Sequence, residues 1–320
     1  MKYQIIKKDD VDFIEIDNEN NLKVTLCSCA ASIYRIVFKD KEMVLTPKNV
    51  KTFLTSGKYY GKTVGRIAGR VPNGQIEIDG IIYQLDQNEG TNCLHGGKNG
   101  ISFRNYQYEI KEEDEFKVKF TLETKNFEEG FPGNACYEVE YIFSNDDSFR
   151  MNYHVISSSN SYFNLTNHTY FLLGEKNILN HQLTMESKEV SIFDENDFSI
   201  KDFNHIEKGS LFDFSSGVTL KDILDQPELH SLKWLNGLDY RFIFDNTKEV
   251  TLSSKEATLT ISTSLPAVHI YSNGFKSKDE YIDGSKDEVS KALALEFSYP
   301  YPLYTKENEQ YSATVRYSFK

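Results

Sequence analysis

Two histidines, a glutamate and a pair of arginines stand in segments that interrupt an otherwise regular chain, and all can hold, give or take a proton or grip a polar ligand. His95 ends the polar run Asn88-Glu89-Gly90-Thr91-Asn92-Cys93-Leu94-His95-Gly96-Gly97. Glycines at that turn permit unusual dihedrals and leave an imidazole uncovered. His168 lies in Phe163-Asn164-Leu165-Thr166-Asn167-His168-Thr169-Tyr170-Phe171. Read as a strand, this segment puts Asn164, Thr166, His168 and Tyr170 on one face, which is either a hydrogen-bonded core network or a binding cleft. Glu296 lies in Lys291-Ala292-Leu293-Ala294-Leu295-Glu296-Phe297. Leu293, Leu295 and Phe297 point one way there, and Ala292, Ala294 and Glu296 the other. The carboxylate thus stands on a floor of small side chains with room for a ligand. Arg66 and Arg70 flank Ile67-Ala68-Gly69, a loop where backbone can approach a ligand and a guanidinium reach it. Each feature also has a plainer reading: a surface ion pair, a structural histidine, a glutamate on an edge strand.

The elements that must position these side chains are strands. Phe116-Lys117-Val118-Lys119-Phe120-Thr121-Leu122-Glu123 alternates apolar and polar residues throughout. Tyr137, Val139, Tyr141 and Phe143 repeat the pattern, as do Phe149, Met151, Tyr153 and Val155, and Tyr311, Ala313, Val315, Tyr317 and Phe319. Such alternation gives each strand one wet and one dry face, as in antiparallel sheets. Turn signals at Asn73-Gly74, Asp79-Gly80, Gly96-Gly97, Pro132-Gly133 and Asn145-Asp146-Asp147 separate the runs. Helical periodicity is scarce, with one short helix expected near Leu220 to Leu224. No linker, composition break or repeat divides the chain. The pattern predicts an all-β protein, two large antiparallel sheets packed face to face as a β-sandwich with few short helices, in one domain over residues 1–320.

Composition narrows the partners. The 320 residues are 39% hydrophobic and 13% aromatic, enough for a core without metal or disulfides, and the formal net charge is −12. That sign disfavours nucleic acid and anionic lipid. Cys27 and Cys29, on one strand-like run, face the same side, and with Cys93 and Cys136 they match no zinc spacing. They read as free thiols of a reducing compartment. The N-terminus lacks a signal-like apolar core, and no run approaches the roughly 18 apolar residues of a membrane span. A cytoplasmic location and no membrane partner are expected.

The polar segments, in their order, resemble the galactose mutarotase (aldose 1-epimerase) family. The likeness rests on Gly65-Arg66-Ile67-Ala68-Gly69-Arg70, Asn92-Cys93-Leu94-His95-Gly96-Gly97, Glu129-Gly130-Phe131-Pro132-Gly133-Asn134, Asn164-Leu165-Thr166-Asn167-His168-Thr169-Tyr170-Phe171, Gly237-Leu238-Asp239 and Leu295-Glu296. It runs from about Tyr60 to the C-terminus. The resemblance implies a galactose mutarotase-like supersandwich with an open sugar cleft on one sheet. It implies Glu296 as general base, His168 as general acid and His95 as a second active-site histidine. It also implies Arg70 and Asp239 as ligands of sugar hydroxyls, with His269 at another substrate-binding position.

The implied reaction suits these groups. One takes the proton of the C1 hydroxyl while another gives a proton to the ring oxygen. The ring opens, the C1–C2 bond rotates, and closure on the other carbonyl face reverses both transfers. Glutamate and histidine, with reference pKa values of about 4.3 and 6.5, are expected to stand as carboxylate and imidazolium close to neutrality. No metal or organic cofactor is required, and the partner is a small sugar.

The chain departs from the family at Gly69, where an asparagine is common, at Tyr240, where a histidine is usual, and at His269, where the family has glutamine. Ser298-Tyr299-Pro300-Tyr301 replaces a usual Pro-Asp. These positions bear on which aldose is recognised. Two alternatives remain at this level: a relative acting on a hexose phosphate or a disaccharide, and a sugar-binding protein that has lost catalysis.

Overall fold

Alternating strands build the largest sheet. In the computed structural model, which describes residues 1–230 and 236–320, Phe116–Thr124, Ala135–Phe143, Ser148–Ser157 and Gln310–Phe319 are consecutive antiparallel neighbours in a nine-stranded sheet. Register carries Val118, Tyr141, Met151 and Val315 across the four strands in one buried row. Fully burying such a side chain is worth about 1.5–3 kcal/mol, so a one-residue slip, which would turn the whole row to solvent, is strongly disfavoured.

A six-stranded antiparallel sheet faces it, in the order Tyr170–Phe171, Leu293–Ser298, Ala267–Tyr271, Asp239–Phe244, Ser187–Phe193, Ile200–His205. Phe242, Val268 and Phe297 are paired across three of its strands and join the core shared with the nine-stranded sheet. The next row over is Arg241, His269 and Glu296. Period two sends that row to the opposite face. The core therefore fixes which way the chemistry points. A five-stranded sheet from the N-terminal forty-odd residues adds Ile14, Val24, Ile36 and Phe38 to the same core. The sandwich expected from the sequence is the observed architecture.

The short helix stands at Leu220–Leu224, as expected. A second, Val50–Thr55, is capped by Asn49, whose Oδ1 accepts the Lys51 N–H at 2.8 Å. All four cysteines are free; Cys27 and Cys29 lie in one apolar cluster and Cys93 is buried in another. Among the described residues no helix is long and apolar enough to cross a membrane.

Two local expectations change. The segment around His168 is not one strand, because its backbone changes partner as it goes. Asn164 bridges Ile67, Thr166–Asn167 pairs with Thr63–Val64, and Tyr170–Phe171 pairs with Leu293–Ala294. Between the last two, the His168 N–H donates to Lys62 O and its carbonyl accepts from Gly61 N. Asn164 consequently points away from His168 and holds Tyr299, accepting its N–H at 2.9 Å and donating to its carbonyl at 3.1 Å. The floor of alanines is also covered. Ala292 and Ala294 are buried in a cluster with Tyr60, Tyr170 and Tyr281, so their small size admits aromatic rings rather than ligand.

Candidate active site

Glu296 reaches the cleft face because Leu295 and Phe297 on either side are drawn into the core. His168 arrives from the partner-switching segment, fixed by its two backbone hydrogen bonds to Gly61 and Lys62. Its Nε2 lies 3.4 Å from Glu296 Oε1, and both side chains are 7% exposed. The rings of Tyr170 and Tyr59 pack at 4.9 and 6.2 Å from the His168 ring. His95, at a positive φ of 53° before Gly96 and Gly97, brings its ring to 5.6 Å from that of His168. The Gly69 N–H donates to His95 Nδ1 at 3.2 Å. An N–H donor requires a lone pair on Nδ1, so the neutral ring carries its proton on Nε2.

Burial decides the charges. It lowers His95 well below the ordinary histidine value, reinforced by His168, Arg70, His269 and Arg241. It lowers His168 to about 4. It raises Glu296 to about 7, against the pull of His269 and Arg241. The expectation of a standing carboxylate–imidazolium pair is thus corrected: desolvation penalises both charges at once. Near neutrality His168 is neutral, and Glu296 lies close to its midpoint.

The binding residues close one side. Arg70 donates through Nε and Nη2 to both oxygens of Glu89, at 2.7 and 2.9 Å. This bidentate pair anchors the guanidinium at the cleft wall. His269 Nε2 lies 2.7 Å from Asp239 Oδ1, and their strands are neighbours. All six residues singled out in the sequence, Glu296, His168, His95, Arg70, Asp239 and His269, line one cavity of about 200 Å³. Arg66 does not join them. It is buried, donating to Tyr137 Oη, Pro132 O and Ser161 Oγ, so only one arginine of the loop faces ligand.

The sequence reading missed Arg241, Tyr59 and Tyr271, which line the same cavity. Arg241 is buried, and its Nη1 donates to Pro300 O at 3.0 Å. Burial lowers its pKa to about 10, against the attraction of Glu296, so it stays charged near neutrality. A signal existed: Arg241 is two residues beyond Asp239 on one strand and so shares its face. Its guanidinium also fills the space beside Gly69, where an added Cβ would stand 3.3 Å from Nη2. Tyr59 and Tyr271 carry no signal beyond the general wealth of aromatics.

His95, His168 and Glu296 offer three ligand atoms within 4.8 Å of one another, a set able to receive a transition metal as well as to move protons.

The aldose 1-epimerase family model matches residues 12–318. The aldose 1-epimerase of Haemophilus influenzae is 27% identical over 88% of this chain and 85% of its own. The galactose mutarotase of Sus scrofa is 28% identical over 80% and 76%. Among solved structures, a galactose 1-epimerase from Lactobacillus acidophilus superposes with a TM-score of 0.89, covering 100% of this chain and 98% of that one at 24% identity. An aldose epimerase homologue from C. elegans gives 0.85, covering 96% and 98% at 27% identity. A match over nearly the whole length, on a sandwich whose cleft gathers every residue the resemblance had singled out, has one consequence: the chain belongs to the aldose 1-epimerase family and is an isomerase.

Proposed function

We propose that the chain, acting as one domain, interconverts the α and β anomers of a neutral aldose, with Glu296 and His168 moving the protons. The observation that carries this is the 3.4 Å approach of His168 Nε2 to Glu296 Oε1 in a desolvated cleft. Mutarotation is proton-neutral overall, so the pair needs one proton between its two members. With sugar bound, the shared proton passes from Glu296 to His168 across 3.4 Å. Glu296 then accepts the C1 hydroxyl proton as the C1–O5 bond breaks, and His168 delivers its proton to O5. The pair is then glutamic acid and neutral imidazole, the state that burial favours. After rotation about C1–C2, His168 takes back the O5 proton as O5 attacks C1, and Glu296 returns a proton to the carbonyl oxygen. His95, neutral with its proton on Nε2, donates a hydrogen bond to a sugar oxygen. Arg70, Asp239 and His269 hold hydroxyls.

The setting is in keeping with a small neutral sugar rather than nucleic acid, given the net charge of −12. Free thiols favour a cytoplasmic location. Polarimetry tests the proposal. Freshly dissolved α-galactose and α-glucose should approach equilibrium rotation faster with protein, and equally fast with chelator present. Unaltered decay across a panel of pure aldose anomers would refute catalysis, and loss of catalysis in chelator would point to a metal on the His95, His168 and Glu296 set.

A further inference from the structure

Lys58 lines the sugar cleft together with His168 and Glu296. Its neighbour Tyr59 packs on the rings of His95 and His168, at 4.8 and 6.2 Å. Farther along the same segment, the Gly61 N–H donates to the His168 carbonyl. One short strap of chain thus holds the acid in place and brings a lysine to the same cleft.

The ammonium is fixed there. Lys58 Nζ donates to Asp287 Oδ2 at 2.5 Å and to Asn273 Oδ1 at 2.6 Å, and the side chain is 15% exposed. The Asp287 side chain is wholly buried. It also accepts from the Ser277 N–H at 2.6 Å, Tyr281 Oη at 2.8 Å and Asn273 Nδ2 at 3.0 Å. Burial would raise this carboxyl, and the Lys58 ammonium and the other donors hold it instead at about 2. Asn273, Ser277, Tyr281 and Asp287 all belong to the connection between the strands that carry His269 and Glu296. The ion pair therefore ties the His168 strap to that connection.

An ammonium has three protons to donate. Two are taken by Asp287 and Asn273, and among the described residues nothing accepts the third. A charged donor held in the wall of a cleft calls for an oxygen from the ligand. Charge-assisted hydrogen bonds are the stronger kind, and an ammonium already held in position loses little freedom when the ligand arrives. An aldose offers several hydroxyl oxygens. Its C1 hydroxyl is taken by Glu296 and its ring oxygen by His168, so the oxygen left for Lys58 lies elsewhere on the ring. We propose that Lys58 is a substrate-binding residue whose third N–H donates to one hydroxyl of the aldose away from C1. This rests on the anomer interconversion proposed above.

Glucose and its 2-, 3-, 4- and 6-deoxy derivatives, each started from one anomer, are followed by polarimetry with the wild type and Lys58→Met. For glucose the variant should lose about ten- to hundredfold in kcat/KM, the worth of one hydrogen bond from a charged donor. For one of the deoxy sugars it should lose less than about twofold, because the oxygen that Lys58 grips is gone. The other deoxy sugars should lose as glucose does. A lysine that only braces the fold would cost every sugar alike, and that outcome refutes the contact. A variant equal to the wild type on glucose refutes it too. Methionine leaves the Asp287 charge unpaired, so Lys58→Met with Asp287→Asn, which removes both charges, is measured alongside, with thermal unfolding of each protein. The double variant should be insensitive to the same deoxy sugar, and a uniform loss in it also refutes the contact. Failure of the wild type to turn over any sugar refutes the underlying reaction and the role of Lys58 with it.

Discussion

His168 Nε2 and Glu296 Oε1 meet at 3.4 Å with both side chains only 7% exposed, and desolvation drives their pKa values in opposite directions, to about 4 and about 7. Between those values the pair holds one proton. Below about 4 it holds two and neither group can accept; above about 7 it holds none and His168 has nothing to give. The profile of kcat/KM, which reports the free enzyme, should therefore be flat in the mildly acidic range and decline as pH rises through about 7. Polarimetric rates from about pH 5 to about pH 9 check this, and efficiency still rising at the alkaline end would contradict the assignment.

Arg241 sits in register with His269, and His269 with Glu296, on three adjacent strands. Its charge favours the Glu296 carboxylate. Arg241→Met removes that charge, so the Glu296 pKa should rise and the alkaline decline move to higher pH. Arg241→Lys keeps the charge and should leave the decline near its wild-type position, even where substrate affinity suffers from the lost hydrogen bond to Pro300 O. Identical pH profiles for Met, Lys and wild type would show that Arg241 does not tune the base.

Gly69 and His269 should set sugar preference. A hydroxyl left without its partner in a desolvated cleft costs about 1–3 kcal/mol, roughly tenfold to hundredfold in discrimination. Gly69→Asn with His269→Gln should shift the ratio of galactose to glucose kcat/KM, and the alkaline decline should move to higher pH because the pull of His269 on Glu296 is removed. The new side chain at residue 69 must displace the Arg241 guanidinium, 3.3 Å from its Cβ, and adopt a φ of 88°. Folding is checked by thermal unfolding alongside. A ratio that stays within about twofold would remove these positions from any role in specificity.

Much of this arrangement was legible in the sequence where one period governs. The run Leu293 to Phe297 told which face carries Glu296, because core and cleft lie on opposite sides of a single strand. Around His168 the same rule failed, because the backbone there pairs in turn with Ile67, with Thr63–Val64 and with Leu293–Ala294. No local pattern encodes a change of partner. The tyrosines over Ala292 and Ala294 come from Tyr60, Tyr170 and Tyr281, far apart in sequence, and only the tertiary fold brings them together. Charge state was equally hidden. Reference values place Glu and His as an ion pair near neutrality, and it is the depth of burial that reverses this.

Glu296→Gln is the most direct test of the proton-transfer roles. The amide keeps the shape of the side chain and cannot accept the C1 hydroxyl proton. Polarimetry of α-galactose or α-glucose should give a kcat at least about 10²-fold below wild type, the low end for a positioned base, with KM little changed. A variant that retains near wild-type kcat would contradict the role of Glu296 as the base and with it the shared-proton reading of the cleft.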